Sequence, residues 1–222
     1  MNIDLLIPDI SKMLQLLQDH PYHFLSNWWA TFFVSTVASI SALFLSVILS
    51  VLALRFKKFD YLMTPIVAVS QSFPLQSIAP IIIIVMGIGF HTKTTIAFVI
   101  AFFPIYSICT SALKSTPKKF LSSLAISNAS FLNGVKYIRL PIALPAIVSA
   151  AKVGFTLAVL GTVVAEFIQP DKGLGYLLIV SQSNYNIEVM YLCVLFLIIQ
   201  GTTIYVIFTI MEKKLIKDRR LA

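Results

Sequence analysis

The side chains able to do chemistry are few, and their spacing narrows what they can do. Three histidines (His20, His23, His91) and two cysteines (Cys109, Cys193) are the candidate metal ligands and nucleophiles. No metal-site spacing joins them. Each cysteine lies in an apolar run, where a free thiol behaves as a small buried hydrophobe, and the histidines read as interfacial polar residues. No His/Asp/Glu cluster supports catalysis, so neither a catalytic residue nor a metal ligand is assigned. What remains is a set of polar and charged groups inside greasy segments: Gln71, Ser72, Gln76, Lys152 and Glu166. Such groups offer non-covalent chemistry, hydrogen bonds and charge along a water-filled path. An ionisable residue near mid-membrane is a functional candidate by default.

Each has a plainer alternative. Lys152 lies eleven residues past Pro141, about 16 Å at helical rise. It suits an anionic path, snorkelling, or a contact with a neighbouring carbonyl. Glu166, about 37 Å along the same helix, suits an outer gate, an outer contact or a capped surface carboxylate. Gln71, Ser72 and Gln76 suit a cavity wall or helix-to-helix hydrogen bonds. Gly173 and Gly175 suit a tight outer turn.

The elements that must position these groups are membrane spans. The 222 residues are 58% hydrophobic and 12% charged, with a mean hydropathy of +0.90. A soluble domain carries about 25% charged residues. A nucleic-acid reading of the net charge of +8 finds no separate basic domain. A first basic residue as late as Lys12, behind Asp4 and Asp9, excludes a secretory signal. Residues 8–19 read as an interfacial helix with Pro8 in its first turn. Spans follow at about 28–54, 61–89, 94–113, 141–168 and 189–211, each near the ~20 residues that crossing needs. The second holds Pro65, Pro74 and Pro80 and is expected to be kinked or split, and the third is expected to kink near Pro104.

Five spans put the two ends on opposite sides. Thirteen Lys and Arg residues fall in the 55–60 turn, the 114–140 segment and the tail from 212; three, Lys12, Lys93 and Lys172, fall on the other side. The positive-inside rule then places the N-terminus outside and the C-terminus in the cytoplasm.

The 114–140 connection is too long for a helix hairpin. Thr116 and Pro117 read as a cap and first turn. Phe120, Leu121, Leu124 and Ala125 follow at helical spacing, and Asn128 can end that piece. Phe131, Val135 and Ile138 start a second stripe, before Pro141 opens the fourth span. The loop thus reads as two short amphipathic helices over 116–139. Their apolar faces need lipid headgroups, the protein's own inner end, or another subunit.

The stretch "LAISNASFLNGVKYIRLPIALPAIVSAAKVGFTLAVLGTVVAEFI" resembles the signature region of type I ABC importer permeases. "FPLQSIAPIIIIVMGIGFHTK" is similar to that family's second span, and "VVAEFIQPDKGLGYLL" to its Glu and Gly-Leu-Gly-Tyr segment. The resemblance covers about residues 8–216 and is nearest the sulfonate, taurine, nitrate and vitamin-precursor branch. It implies one all-α transmembrane domain over 1–222 with five spans. It further implies a non-catalytic subunit in the bacterial inner membrane that moves a small solute inward. The expected partners are a second copy of the chain, an ABC ATPase dimer that itself binds ATP and Mg, an extracytoplasmic solute-binding protein and membrane lipid, with no nucleic acid. The rival from another class is a stand-alone secondary transporter or channel, which five spans without a repeat disfavour.

The resemblance also assigns an ATPase-docking surface: Phe120, Leu121, Ser122, Leu124, Asn128, Phe131, Leu132 and Gly134. Lys118, Lys119 and Lys136 would meet lipid phosphates or solvate the loop. Two features depart from the family pattern. Its EAA positions fall on Ser122, Ser123 and Leu124, so the acid is missing, and its glycine position is Asn128.

Overall fold

The computed structural model describes residues 8–117, 120 and 130–220, with side chains through Lys214. These residues form helices joined by short connections, with no strand among them. Helix α1 (Ile10–Asp19) begins two residues later than expected. The Asp9 carboxylate accepts from the Ser11 and Lys12 amides, so Pro8 precedes the cap instead of sitting in the first turn. Then come α2 (Pro21–Arg55), α3 (Lys57–Ser72), α4 (Ala79–Met86), α5 (Phe90–Lys114), α6 (Phe131–Ile168), α7 (Leu174–Ser183) and α8 (Ile187–Arg220).

Four helices are long and apolar enough to cross a membrane: α2, α5, α6 and the Ile187–Lys214 part of α8. The fifth span is the expected broken one. Chain from α3 into α4 bends by 95°. The break falls at Phe73–Pro74, both in extended conformation. Proline cannot donate to the helical ladder and holds its predecessor out of helical geometry.

The centre is α2, α5 and α6. In lipid there is little hydrophobic drive between helices, so small residues that let backbones approach decide which faces meet. Helix α2 buries Ser35, Ala38, Ser39, Ala42, Ser46, Ser50 and Ala53. Ser46 Oγ donates to the Phe102 carbonyl at 3.3 Å, and the Ser50 and Thr110 hydroxyls meet at 2.8 Å. On α6, Gly161 faces α5 so closely that a Cβ there would lie 2.8 Å from Ala97 Cα. Helix α5 is the most enclosed span, with 56% of its apolar window buried, against 11% for α8. Helix α8 therefore offers most of its surface to lipid or to another chain.

Two expectations about helix limits are corrected. The 131–139 segment is not a separate helix; it runs into the fourth span as one rod. Val135–Arg139 forms a π turn, in which the Leu140 amide reaches back to the Val135 carbonyl. A π turn absorbs the local mismatch of a proline that lacks its donor, so Pro141 continues the rod. Helix α7 was not foreseen at all.

Candidate functional site

The end of the bundle that gathers basic residues holds the two described segments that flank residues 118–129. Lys114 Nζ lies 2.6 Å from both carboxylate oxygens of Asp60, tying α5 to α3. Arg139 donates to the Leu113 carbonyl at 3.3 Å, and the Thr116 hydroxyl donates to the same oxygen at 3.0 Å. Thr116 before residues 118–129 and Arg139 after them are thus both anchored on the last turn of α5, whose carbonyls have no partner within the helix. Arg55 lies 5.3 Å from the centre of the Phe131 ring, joining α2 to the start of α6.

The expected docking residues divide. Leu121, Ser122, Leu124 and Asn128, with Lys118 and Lys119, lie outside the described residues. Phe120 is exposed. Leu132 is 71% exposed, whereas Phe131 is half-buried under Arg55. Gly134 is buried, which removes it from any contact surface. Lys136 is exposed and lies over the Tyr137 ring.

Along the spans, Gln71, Ser72 and Gln76 are all exposed where α3 ends and the bend begins. Ser72 caps back onto the Ala68 carbonyl at 3.5 Å. Lys152 has a carboxylate partner, which none of its three sequence readings included. Its ammonium sits 3.1 Å from Glu212 Oε2 and 4.8 Å from the centre of the Tyr205 ring. Ser149 donates to the other Glu212 oxygen at 2.6 Å. Side chains on a helix lean toward its N-terminus. On α6 that lean carries the ammonium toward the basic end, where Glu212 meets it near the end of the apolar part of α8. Both groups are half-buried, so the pairing and the Ser149 hydrogen bond offset part of their desolvation cost.

The opposite end contains a second polar constellation, and it corrects the reading of Glu166. This carboxylate is not on the surface: it has 0% exposure. The Thr31 hydroxyl donates to it, 2.9 Å from Oε1, and the Gly175 amide donates to Oε2 at 2.8 Å. The Leu174 amide donates to Thr31 Oγ1 and the Gly173 amide to Asn27 Oδ1, each at 2.8 Å. Three successive amides at the start of α7 are therefore capped by side chains from α2 and α6. Those are the donors a helix leaves unpaired, and a carboxylate suits the positive end of the helix. Gly173 has φ +128°, and a Cβ there would collide with the Glu166 carboxylate. Beside this knot, buried Lys93 pairs with Asp171 and donates to the Lys172 carbonyl at 2.8 Å. The Gly89 amide donates to Gln169 Oε1 at 3.0 Å.

Asn27, Thr31, Lys93 and Glu212 escaped the sequence reading. Asn27 and Thr31 carried one signal, polar residues four apart on a single face of an apolar helix. Glu212 carried none, as it opens a charged tail. No group of three His, Cys, Asp or Glu residues able to hold a metal occurs among the described residues.

Long apolar rods packed through small residues, a proline-broken span and a cluster of basic residues at one end define a polytopic α-helical membrane domain. The chain belongs to the family of binding-protein-dependent transport system inner membrane components, whose pattern matches residues 42–217. It is a multi-pass protein of the bacterial inner membrane. It is 31% identical over 163 residues to a probable ABC transporter permease protein of Haemophilus influenzae, covering 73% of this chain and 66% of that one. It is 30% identical over 155 residues to the riboflavin transport system permease protein RibX of Chloroflexus aurantiacus, covering 70% and 58%. Against the formylaminopyrimidine transport permease protein ThiX of Halalkalibacterium halodurans it is 25% identical, covering 69% and 61%. The chain thus spans 58–66% of the length of these relatives. Its fold is that of a chain of the MetNI methionine ABC transporter in an inward-facing conformation, with a TM-score of 0.76 over 87% of this chain and 96% of that one, at 20% identity. A chain of an amino acid ABC transporter gives 0.75 over 91% and 98%, at 13% identity.

Proposed function

We propose that this chain is the membrane subunit of an ATP-driven importer that carries a small solute into the cytoplasm. The observation that carries the reading is the family match over 42–217, joined to a fold that covers nearly all of the membrane chains of two ABC transporters. In this reading the chain hydrolyses nothing; ATP and Mg belong to a separate ATPase dimer. A soluble binding protein delivers the solute outside, and a second copy of the chain completes the path. The relatives named for riboflavin and formylaminopyrimidine support a vitamin-precursor cargo.

The orientation follows from charge: N-terminus outside, basic end in the cytoplasm. The 118–129 loop then faces the ATPases, with Phe120, Leu121, Ser122, Leu124 and Asn128 as the contact. Closure of the ATPases would push on a loop whose two sides are pinned to one helix end, so force passes to α5 and α6 as rigid bodies. Gln71, Ser72 and Gln76, at the bend of the broken span, line the solute path. Lys152, already neutralised by Glu212, is set beside that path as a conditional charge. Leu124→Asp tests the docking. The variant should insert and fold normally yet lose ATP-driven uptake in vesicles holding the whole transporter; unchanged uptake would overturn the assignment.

A further inference from the structure

At the basic end lies an apolar groove of about 460 Å³ that the import reading does not use. One wall is a single face of α2, Ile48, Val51 and Leu52, leading to Arg55 at the mouth. The other wall is Phe131 and Leu132 at the start of α6, with Phe56 at the rim. Ile48 and Leu52 are exposed, and Leu132 is 71% exposed. Ile48 lies seven residues before Arg55, about 10 Å deeper along the helix. The groove therefore runs from the membrane surface down into the hydrocarbon.

Its mouth is positively charged. Arg55, Lys57 and Lys58 are all exposed and follow one another around Phe56. Among the described residues Arg55 has no carboxylate partner; its guanidinium lies over Phe131. The nearest acid in sequence, Asp60, is held by Lys114 through both oxygens. A greasy slot below a cluster of free cations matches the two halves of an anionic phospholipid.

The geometry points to a bound anionic phospholipid: an acyl chain along Ile48, Leu52 and Leu132, and the headgroup phosphate at Arg55, Lys57 and Lys58. Depth argues against a soluble protein partner, which cannot reach Ile48 within the hydrocarbon. Like charge argues against a second copy of the same face. The assignment reassigns Phe131 and Leu132 from ATPase docking to lipid. It does not depend on the direction or cargo of transport, because the end of an apolar helix meets a membrane surface either way.

The test is native mass spectrometry of the full chain released from detergent. Phosphatidylglycerol and phosphatidylcholine with identical acyl chains are supplied at equal concentration. One phosphatidylglycerol should stay on each chain, at about tenfold preference over phosphatidylcholine. An excess of glycerol phosphate should not displace it, because the groove holds the acyl chain. Replacing the cations together (Arg55→Gln, Lys57→Gln, Lys58→Gln) should erase the preference. All three are exposed, so the fold should persist, as an unchanged melting temperature would register. Leu52→Trp should fill the groove and lower retention of both lipids. Equal retention of the two lipids by the unmodified chain would overturn the proposal, as would phosphatidylglycerol held undiminished by the triple variant. Loss of a copurifying ATPase in Leu132→Asp with phosphatidylglycerol retention unchanged would also overturn it, and would return the groove to protein docking.

Discussion

At the scale of single residues, the charged groups buried or half-buried in the bundle (Lys93, Lys152, Glu166, Glu212) are each held by polar partners. Thr31 shows the logic: its one hydrogen goes to Glu166, and its oxygen takes the Leu174 amide. Thr31→Val would leave a buried carboxylate oxygen and a helix-start amide without partners. An orphaned buried polar group costs about 1–3 kcal/mol. The variant should therefore melt lower in detergent, and Thr31→Ser, which keeps the hydroxyl, should melt near the unmodified chain. Equal melting of the two variants would mean the knot adds nothing. Lys152 and Glu212 make a second case. Removing the amine alone strands a half-buried carboxylate, whereas removing both charges does not. Lys152→Met should destabilise more than Lys152→Met combined with Glu212→Gln. The coupling energy from the double-mutant cycle should be about 0.5–3 kcal/mol.

At the scale of elements, length and hydropathy made the spans legible, and three prolines marked the second one as kinked or split. Only the structure shows that Pro74 is where it breaks, with Pro65 inside α3 and Pro80 in the first turn of α4. Three features were hidden for physical reasons. Helix α7 opens with Gly173-Leu174-Gly175, which reads as a turn; its start is fixed by Asn27, Thr31 and Glu166, up to 146 residues away. The α6 rod continues through Pro141 because a π turn precedes it, and a proline read alone marks a helix start. The Lys152–Glu212 pair spans 60 residues of sequence and depends on how α6 meets α8. Within the described part of the docking surface, Gly134 is buried and Phe131 half-buried, because α6 begins at Phe131, nine residues before Leu140, whereas Leu132 stays exposed. Helix contact also sets a steric limit. Gly161 meets the backbone of α5 at Ala97, so Gly161→Leu should force the two rods apart. Overpacking a tight contact costs about 1–3 kcal/mol. A drop in melting temperature larger than for Leu160→Ala, at a half-exposed neighbouring site, is the expected result.

At the scale of the whole molecule, one end is tied by Lys114–Asp60 and Arg139, and the other by Glu166 and Lys93. Between them stand rods packed through small residues. Such a body transmits displacement as a unit. Charge asymmetry assigns its sides, and the native cysteines allow a direct check, since Cys109 and Cys193 are both fully buried. A cysteine introduced at Lys58 should react with a membrane-impermeant maleimide only after intact cells are opened, and one at Tyr185 should react beforehand. The reverse pattern would invert the topology. The central claim is that this chain works as the membrane subunit of an ATP-driven importer, and its most direct measurement is the composition of the complex it forms. Gently solubilised from its own membranes, the chain should elute with a separate ATPase at near-equal amounts, and the fraction should hydrolyse ATP. A folded chain that elutes alone, without ATP hydrolysis, while still passing solute in reconstituted vesicles would contradict that claim.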